Sequence, residues 1–284
     1  MKDTLICTVG ASLNFSDVID ADSIEEANEI KVAKQLKQLE SDARNCGAEI
    51  NSNYSIFNKD YLTEYNNLYL LVSDTKAGEK CGKILDLYYD DQFENIEVIT
   101  IEGLHHKKYK EFKLNGLRNL VMELAAIVYE DLRSSNQAVL NATGGFKAQI
   151  FAAGLTGQIL GIPVFYMYEG FPEVVELPPL PVAFDHKLWL KNYNLIKELY
   201  DNEMIAKDKF EQKYDKLDPK IRMLIDQDKE YYYFNAVGIL YHEGFYIDFE
   251  RNKHNYLPPQ VKNKDSISQG ITYEDMNNGK HSGL

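Results

Sequence analysis

Short apolar runs alternate along the first two thirds of the chain with segments in which apolar residues recur every three or four positions. The apolar runs predict buried strands, and the periodic segments predict amphipathic helices packed against them. The predicted strands are residues 5–9, 68–72, 96–101, 138–141 and 162–168. The predicted helices are residues 23–46, 76–88, 114–132 and 146–160. Ser23 and Glu26 are expected to form a capping box on the first helix. This alternation predicts an α/β fold with a mainly parallel sheet flanked by helices.

The alternation ends at residues 177–181, Leu-Pro-Pro-Leu-Pro, a stiff segment that predicts a boundary. The elements predicted beyond it are helices at 186–200, 207–214 and 219–226, a strand at 231–234 and a helical turn at 236–243. Helices followed by a short strand predict a small helical or winged-helix-type domain. After about residue 252 the sequence is polar and without periodicity, which predicts a flexible tail. The predicted parts are a ligand-binding domain at 1–184, the smaller domain at 185–250 and the tail at 251–284.

The formal net charge of the 284 residues is -13, which argues against a long nucleic-acid groove because such grooves need basic patches. A small anionic ligand remains possible, since a few lysines and backbone N–H groups make a locally positive pocket. No run approaches the roughly 18 apolar residues of a membrane span, and no leader opens the chain. Cys7, Cys46 and Cys81 lack metal-type spacing, so buried free thiols are expected. We predict a cytoplasmic protein without a metal ion or cofactor.

Three loops follow strands at one edge of the predicted sheet: residues 10–14, 73–76 and 141–147. Ligands of open α/β sheets bind at the carboxyl ends of the strands, so these loops are the candidate site. In the first loop, Ser12 and Asn14 can bind a phosphate or a ribose hydroxyl, although a Ser after a strand is more often a helix cap. In the loop at 73–76, Asp74 or Thr75 is expected to cap the next helix.

The loop at 141–147, Asn-Ala-Thr-Gly-Gly-Phe-Lys, lies where a strand becomes a helix. Gly144 and Gly145 allow positive φ and a close approach to a ligand. The N–H groups of the following helix favour an anion, and Lys147 adds a full charge. Asn141 and Thr143 add hydrogen-bonding groups. The alternative is a turn that the glycines only shape, because the pattern is neither a Walker loop nor a dinucleotide fingerprint.

Histidines occur at two further places. His105 and His106 precede two lysines after the third strand, where a solvated loop is favoured over a metal pair. His242, Arg251 and His254 are candidates for RNA cleavage, although the last two lie where order is expected to fade.

The motifs at 8–13 (Thr-Val-Gly-Ala-Ser-Leu), 141–147, 161–164 (Gly-Ile-Pro-Val) and 176–181 (Glu-Leu-Pro-Pro-Leu-Pro) together resemble the CRISPR-associated Rossmann-fold (CARF) proteins of type III CRISPR systems. The resemblance covers residues 1 to about 184 and implies a Rossmann-like sheet. Residues 236–241 resemble, more weakly, the helical or winged-helix module that often follows this domain in the family.

The resemblance implies a homodimer that binds cyclic oligoadenylate, usually the four-membered ring, across its two-fold axis. Some members relay the signal to an attached effector, and ring nucleases cleave the messenger themselves. Ser12 and Lys147 match the Ser and Lys that matter for cleavage in ring nucleases, so the resemblance implies that both are catalytic. The ligand-binding residues predicted from the three loops are Gly10, Ala11, Ser12, Asn14, Ser73, Asp74, Thr75, Asn141, Thr143, Gly144, Gly145, Phe146 and Lys147.

The sequence departs from the family in two respects. Ala11 stands where a Thr is common, which removes one hydroxyl, and no Arg-x4-6-His ribonuclease motif or acidic nuclease cluster is present. We therefore predict a slow, metal-independent ring nuclease. The alternatives are a sensor without catalysis that repositions residues 185–250 against a partner, and a messenger-activated ribonuclease that uses His242, Arg251 or His254.

Overall fold

The computed structural model describes residues 2–11, 13, 23–128, 137–181, 185–214 and 216–256. The chain divides into two compact units, Met1–Ile247 and Asp248–Leu284. Residues 251–256 of the predicted flexible tail belong to a helix that ends at Tyr256, and residues 257–284 lie outside the described residues. The predicted boundary near residue 184 stays a prediction, since residues 182–184 are not described.

A six-stranded sheet forms the centre of the first unit. Its strands are β1 (Thr4–Thr8), β2 (Asn67–Ser73), β3 (Asn95–Ile101), β4 (Ala138–Asn141), β5 (Val164–Tyr166) and β6 (Val175–Leu177). They lie in the order β3-β2-β1-β4-β5-β6. All neighbours are parallel except β5 and β6, which are antiparallel. The α/β fold with a mainly parallel sheet is confirmed. The edge strand β6 was not predicted because its three residues are exposed and carry no apolar run.

Helices cover both faces of this sheet. They are α1 (Glu29–Leu36), α2 (Ala48–Asn58), α3 (Lys76–Tyr89), α4 (Tyr109–Glu111), α5 (Leu117–Ala126) and α6 (Lys147–Leu160), with a π-helix at Phe112–Gly116 between α4 and α5. Successive residues of a strand point to opposite faces, so Leu5 and Cys7 pack in one core layer and Ile6 packs in the other. Each buried Leu or Ile stabilises the fold by about 1.5 to 3 kcal/mol.

The helix predicted at 23–46 is confirmed only at Glu29–Leu36 (α1), and its predicted bounds are wrong. Ile24–Glu26 and Arg44–Cys46 are short 3-10 turns, and the Ser23 side chain makes no capping hydrogen bond. The α-helix begins only at Glu29, where the Asn28 side chain accepts from Lys31 N at 3.0 Å. Helix α2 was missed because four of its six buried residues are polar, so the sequence shows no apolar period.

The remaining part of the first unit contains short helices and a second, three-stranded sheet. The elements that follow β6 along the chain are α7 (His186–Lys191), α8 (Tyr193–Asp201), β7 (Met204–Ala206), α9 (Lys207–Lys213), α10 (Pro219–Arg222), β8 (Ile225–Gln227), β9 (Tyr231–Phe234) and α11 (Ala236–Tyr256), of which α11 extends beyond Ile247. The sheet order is β7-β9-β8, all antiparallel. The helix predicted at 219–226 is therefore half wrong, because it ends at Arg222 and β8 follows. The winged-helix assignment is not confirmed and stays a prediction.

Candidate functional site

The strand order of the large sheet reverses between β1 and β4. The chain runs outward from β1 through β2 to β3, then crosses to β4 on the other side of β1. Cys7 pairs with Asn141, so the loops after β1 and β4 leave the sheet at the same level. This position is the topological switch point, where open α/β sheets bind their ligands.

The loop after β1, here called the first loop, and the loop after β4, here called the second loop, contact each other through glycine backbone. A Cβ added to Gly10 would lie 2.5 Å from Gly145 N, and one added to Gly144 would lie 2.7 Å from Thr8 O. Gly145 has a φ of 109°, in the left-handed region that favours glycine. The Thr8 hydroxyl donates to Gly144 O at 2.7 Å and joins the loops directly. Larger side chains at these glycines would push the loops apart.

Helix α6 begins at the end of the second loop, with Lys147 as its exposed first residue. The Gln149 side chain is wholly buried, and its Oε1 accepts from Phe146 N at 3.1 Å. Its Nε2 has no hydrogen-bond partner in the described part of the chain. Two groups therefore favour an anion near this helix end: the first N–H groups of α6 and the Lys147 ammonium.

Asn141 and Thr143 serve the loop internally. Asn141 is buried, and its Nδ2 donates to Ser52 Oγ at 2.7 Å and to Asn53 Oδ1 at 2.6 Å. Its Oδ1 accepts from the Thr143 hydroxyl at 2.6 Å. The Thr143 hydroxyl also accepts from Met167 N at 3.0 Å. These side chains form the foundation of the loop, beneath the surface that a ligand would reach.

Glu49 at the start of α2 is a site residue that the sequence reasoning missed. It is wholly buried, and its Oε1 accepts from Gly10 N at 2.7 Å. The Gly10 amide is therefore already engaged by a carboxylate rather than open to a phosphate. With Ser52 and Asn53, Glu49 forms a polar face at i, i+3 and i+4 of one helix, the spacing that places side chains together. The i, i+3 and i+4 spacing of these polar residues, shortly after Gly47, was the sequence signal that could have identified this polar helix face.

The loop after β2, residues 73–76, caps a helix as predicted. Thr75 Oγ1 accepts from Gly78 N at 2.9 Å at the start of α3, and it contacts Ser73 Oγ at 2.9 Å. Asp74 Oδ2 accepts from Gly103 N at 3.1 Å, which ties this loop to the one after β3. These three side chains have partners within the protein, so the loop is organised before any ligand arrives.

The remaining candidate residues of the first loop are only partly described. Ala11 is exposed, whereas Ser12 and Asn14 lie outside the described residues. The predicted catalytic role of Ser12 therefore stays a prediction.

Phe146 connects the second loop to the segment after β3. Its ring lies 5.6 Å from the Phe112 ring, edge to face, and 6.4 Å from the His106 ring. His105 is buried rather than solvated, with Nε2 at 3.6 Å from Glu111 Oε2. The expectation of a solvated loop is wrong for His105, because this segment folds back over the sheet edge.

His242 lies in an aromatic cluster, with its ring 4.2 Å from the Tyr200 ring and 6.0 Å from the Trp189 ring. Burial lowers the pKa of His242 to about 4. The side chain is therefore neutral at physiological pH, when it cannot act as a general acid. The side chains of Arg251 and His254 lie outside the described residues.

Three further features concern the residues within the described ranges. No group of three or more His, Cys, Asp or Glu residues is arranged to hold a metal ion. No helix there is long and apolar enough to cross a membrane. Cys7, Cys46 and Cys81 are free and buried, as predicted, and burial raises the pKa of Cys81 to about 12.

Residues 44–180 match a protein family described as CRISPR-associated protein (Cas_APE2256). This match confirms the CRISPR-associated resemblance drawn from the sequence motifs. No curated protein matches the chain.

The solved structures that resemble the chain include the following two. Can2 from Sulfobacillus thermosulfidooxidans, in complex with cyclic tetra-adenylate, is 12% identical over 89% of this chain and 63% of its own, with a TM-score of 0.31. Protein VC1899 from Vibrio cholerae is 9% identical over 87% of this chain and 65% of its own, also with a TM-score of 0.31. The chain thus spans less than two thirds of either structure.

Proposed function

We propose that this chain, a CRISPR-associated protein by the family match over residues 44–180, binds a cyclic oligoadenylate where β1 and β4 end. The observation that carries the proposal is the convergence of two glycine loops on the amino end of α6. Backbone N–H groups and Lys147 favour phosphate there, and the glycines let a ligand approach the backbone closely. The family resemblance supplies the identity of the phosphate ligand.

We further propose that two copies bind one ring. Phe151 is 71% exposed and lies one turn after Lys147 on the same face of α6. Leu180, 65% exposed, is held beside this helix because its N–H donates to Gln158 Oε1 at 2.9 Å. Exposed apolar side chains next to a binding loop favour association. A two-fold contact through this face would place Lys147 of each copy near the same cyclic ligand.

The proposed reaction is a slow cleavage of the ring without a metal ion. The ribose 2′-oxygen forms a bond to its neighbouring 3′-phosphorus, and the bond from phosphorus to the 5′-oxygen breaks. The 2′-hydroxyl proton is released and a proton reaches the 5′-oxygen, which gives a 2′,3′-cyclic phosphate and a free 5′-hydroxyl. Lys147 and the α6 amides would stabilise the negative charge that develops on the phosphate oxygens, and Ser12 would orient the ribose.

The cleavage proposal is tested by incubating purified protein with labelled cyclic tetra-adenylate, and separately with generic RNA with and without the messenger. Linear products ending in a 2′,3′-cyclic phosphate support a ring nuclease. Messenger-dependent cleavage of the generic RNA supports the ribonuclease alternative instead. An intact ring after hours, with wild type and Lys147→Ala alike, contradicts the cleavage proposal.

A second candidate function, a sensor that relays binding to residues 185–250, is favoured by one chain of contacts. Phe146 of the ligand loop packs on Phe112 in the π-helix, and the next residue, Lys113, pairs with Asp226 of β8 at 2.7 Å. Movement of Phe146 on binding would therefore be transmitted to the small sheet. The hydrogen bond with the Asp226 carboxylate raises the pKa of Lys113, so Lys113 stays charged at neutral pH.

The sole tryptophan of the sequence gives the relay a direct readout. Trp189 is buried, with its ring 4.1 Å from the Phe245 ring. The relay predicts a change in tryptophan emission when the ring binds, and its loss in Lys113→Met with binding retained. Lys229→Ala, at an exposed turn, serves as the matched control. An unchanged emission at saturating ligand contradicts the relay.

A further inference from the structure

We infer that Glu49 is a positioning residue that holds the two glycine loops at the separation the ligand requires, without touching the ligand. This inference rests on the proposed function for its consequence, but its structural basis is independent of any ligand. The juxtaposition that carries it is a wholly buried carboxylate wedged between Gly10 and Gly144.

The contacts of Glu49 reach both loops. Its Oε1 accepts from Gly10 N at 2.7 Å, and a Cβ built on Gly144 would lie only 2.1 Å from the same oxygen. Hydrogen bonds to an ionised acceptor are roughly twice as strong as neutral ones. One oxygen therefore fixes the position of the first loop while occupying the space beside the second.

The same helix holds the base of the second loop. Ser52 and Asn53, three and four residues after Glu49, accept the two hydrogen bonds that Asn141 Nδ2 donates. Helix α2 thus anchors the loop after β1 through Glu49 and the loop after β4 through Ser52 and Asn53. A shift of Glu49 would move the first loop relative to a second loop that stays fixed.

A buried carboxylate at this place is energetically unfavourable, so we expect it to serve a function. Burial of a charged group is unfavourable, and a negative charge beneath a phosphate site opposes the ligand. Lys147 is exposed and lies outside the buried layer that holds Glu49. Holding the loops is the role that the contacts of Glu49 support, because its oxygen engages the Gly10 amide that an anion would otherwise use.

The test compares Glu49→Leu, which removes the acceptor, with Glu49→Gln, which keeps an acceptor oxygen and nearly the same shape. Ile56→Val, a wholly buried position on the same helix, is the matched control for destabilisation. Amide hydrogen exchange of ligand-free protein reports on residues 8–10 and 143–146, and calorimetric titration with cyclic tetra-adenylate reports affinity.

The inference predicts slow exchange of the Gly10 amide in wild type and Glu49→Gln, and fast exchange in Glu49→Leu. Affinity should fall by about 10-fold to 100-fold in Glu49→Leu, the range expected when binding groups are misplaced by about 1 Å. Recovery in Glu49→Gln and no loss in Ile56→Val are also expected.

Three outcomes overturn the inference: fast exchange of the Gly10 amide in wild type, unchanged exchange in Glu49→Leu, or equal affinity losses in Glu49→Leu and Ile56→Val. The first is measured on wild type, so it holds even if Glu49→Leu does not fold. Failure of wild type to bind the ring contradicts the proposed function alone, because the exchange measurement still decides whether Glu49 holds the loop.

Discussion

Gly144→Ala tests the packing of the two loops most directly. The added Cβ would lie 2.1 Å from Glu49 Oε1 and 2.7 Å from Thr8 O, whereas ordinary contacts begin near 3.4 Å. The buried carboxylate would have to retreat by about 1.3 Å, and the β1 backbone by about 0.7 Å. Overpacking of this kind costs about 2 kcal/mol in the free energy of unfolding. The displaced loop should also weaken ring binding by about 100-fold.

The assay is urea denaturation followed by titration with cyclic tetra-adenylate. Gly170→Ala is the matched control, since its Cβ would meet only the exposed Tyr168 ring at 3.3 Å and its φ is not positive. The control should change stability by no more than about 0.5 kcal/mol. If Gly144→Ala matches the control in both stability and affinity, the two loops are not packed as the structure has them.

Three other predictions follow from described contacts. Asn141→Leu removes the donor that Ser52 Oγ and Asn53 Oδ1 accept from and should lower the free energy of unfolding by about 3 kcal/mol in urea; a loss below about 1 kcal/mol contradicts the network. Phe151→Asp should convert a dimer into a monomer in light scattering; an unchanged mass contradicts the proposed interface. The lowered pKa of His242 means that the unfolded chain binds more protons between pH 6.5 and about 4. The free energy of unfolding of wild type should therefore fall by roughly 3 kcal/mol more than that of His242→Gln as pH falls from 7 to 4. Parallel curves of stability against pH for the two proteins would contradict this.

The sheet could be predicted because its strands carry their own signal. The apolar runs in β1, β2 and β4 are buried on both faces, so each of these strands is visible without knowledge of its neighbours. The carboxyl-edge rule then identified the loops after β1 and β4. Strand β6 was not predicted because it is exposed, and its pairing depends on β5 rather than on its own sequence.

The foundation of the site could not be predicted in the same way. Glu49, Ser52 and Asn53 are polar residues on the buried face of a helix, and their partners lie 39 to 89 positions away in sequence. Period-based reasoning treats such residues as exposed, because a buried polar group is favourable only when its partner is in place. For the same reason, Asn141 and Thr143 were expected to face the ligand, whereas their hydrogen bonds lie within the protein.

The central claim is that the crevice at the amino end of α6 binds a cyclic oligoadenylate. Equilibrium titration of wild type and Lys147→Ala with labelled cyclic tetra-adenylate tests it most directly. The account predicts saturable binding by wild type and an affinity about 10-fold to 100-fold lower in Lys147→Ala, as expected for the loss of one charged hydrogen bond. Absence of binding by wild type, or equal affinity of the two proteins, would contradict it.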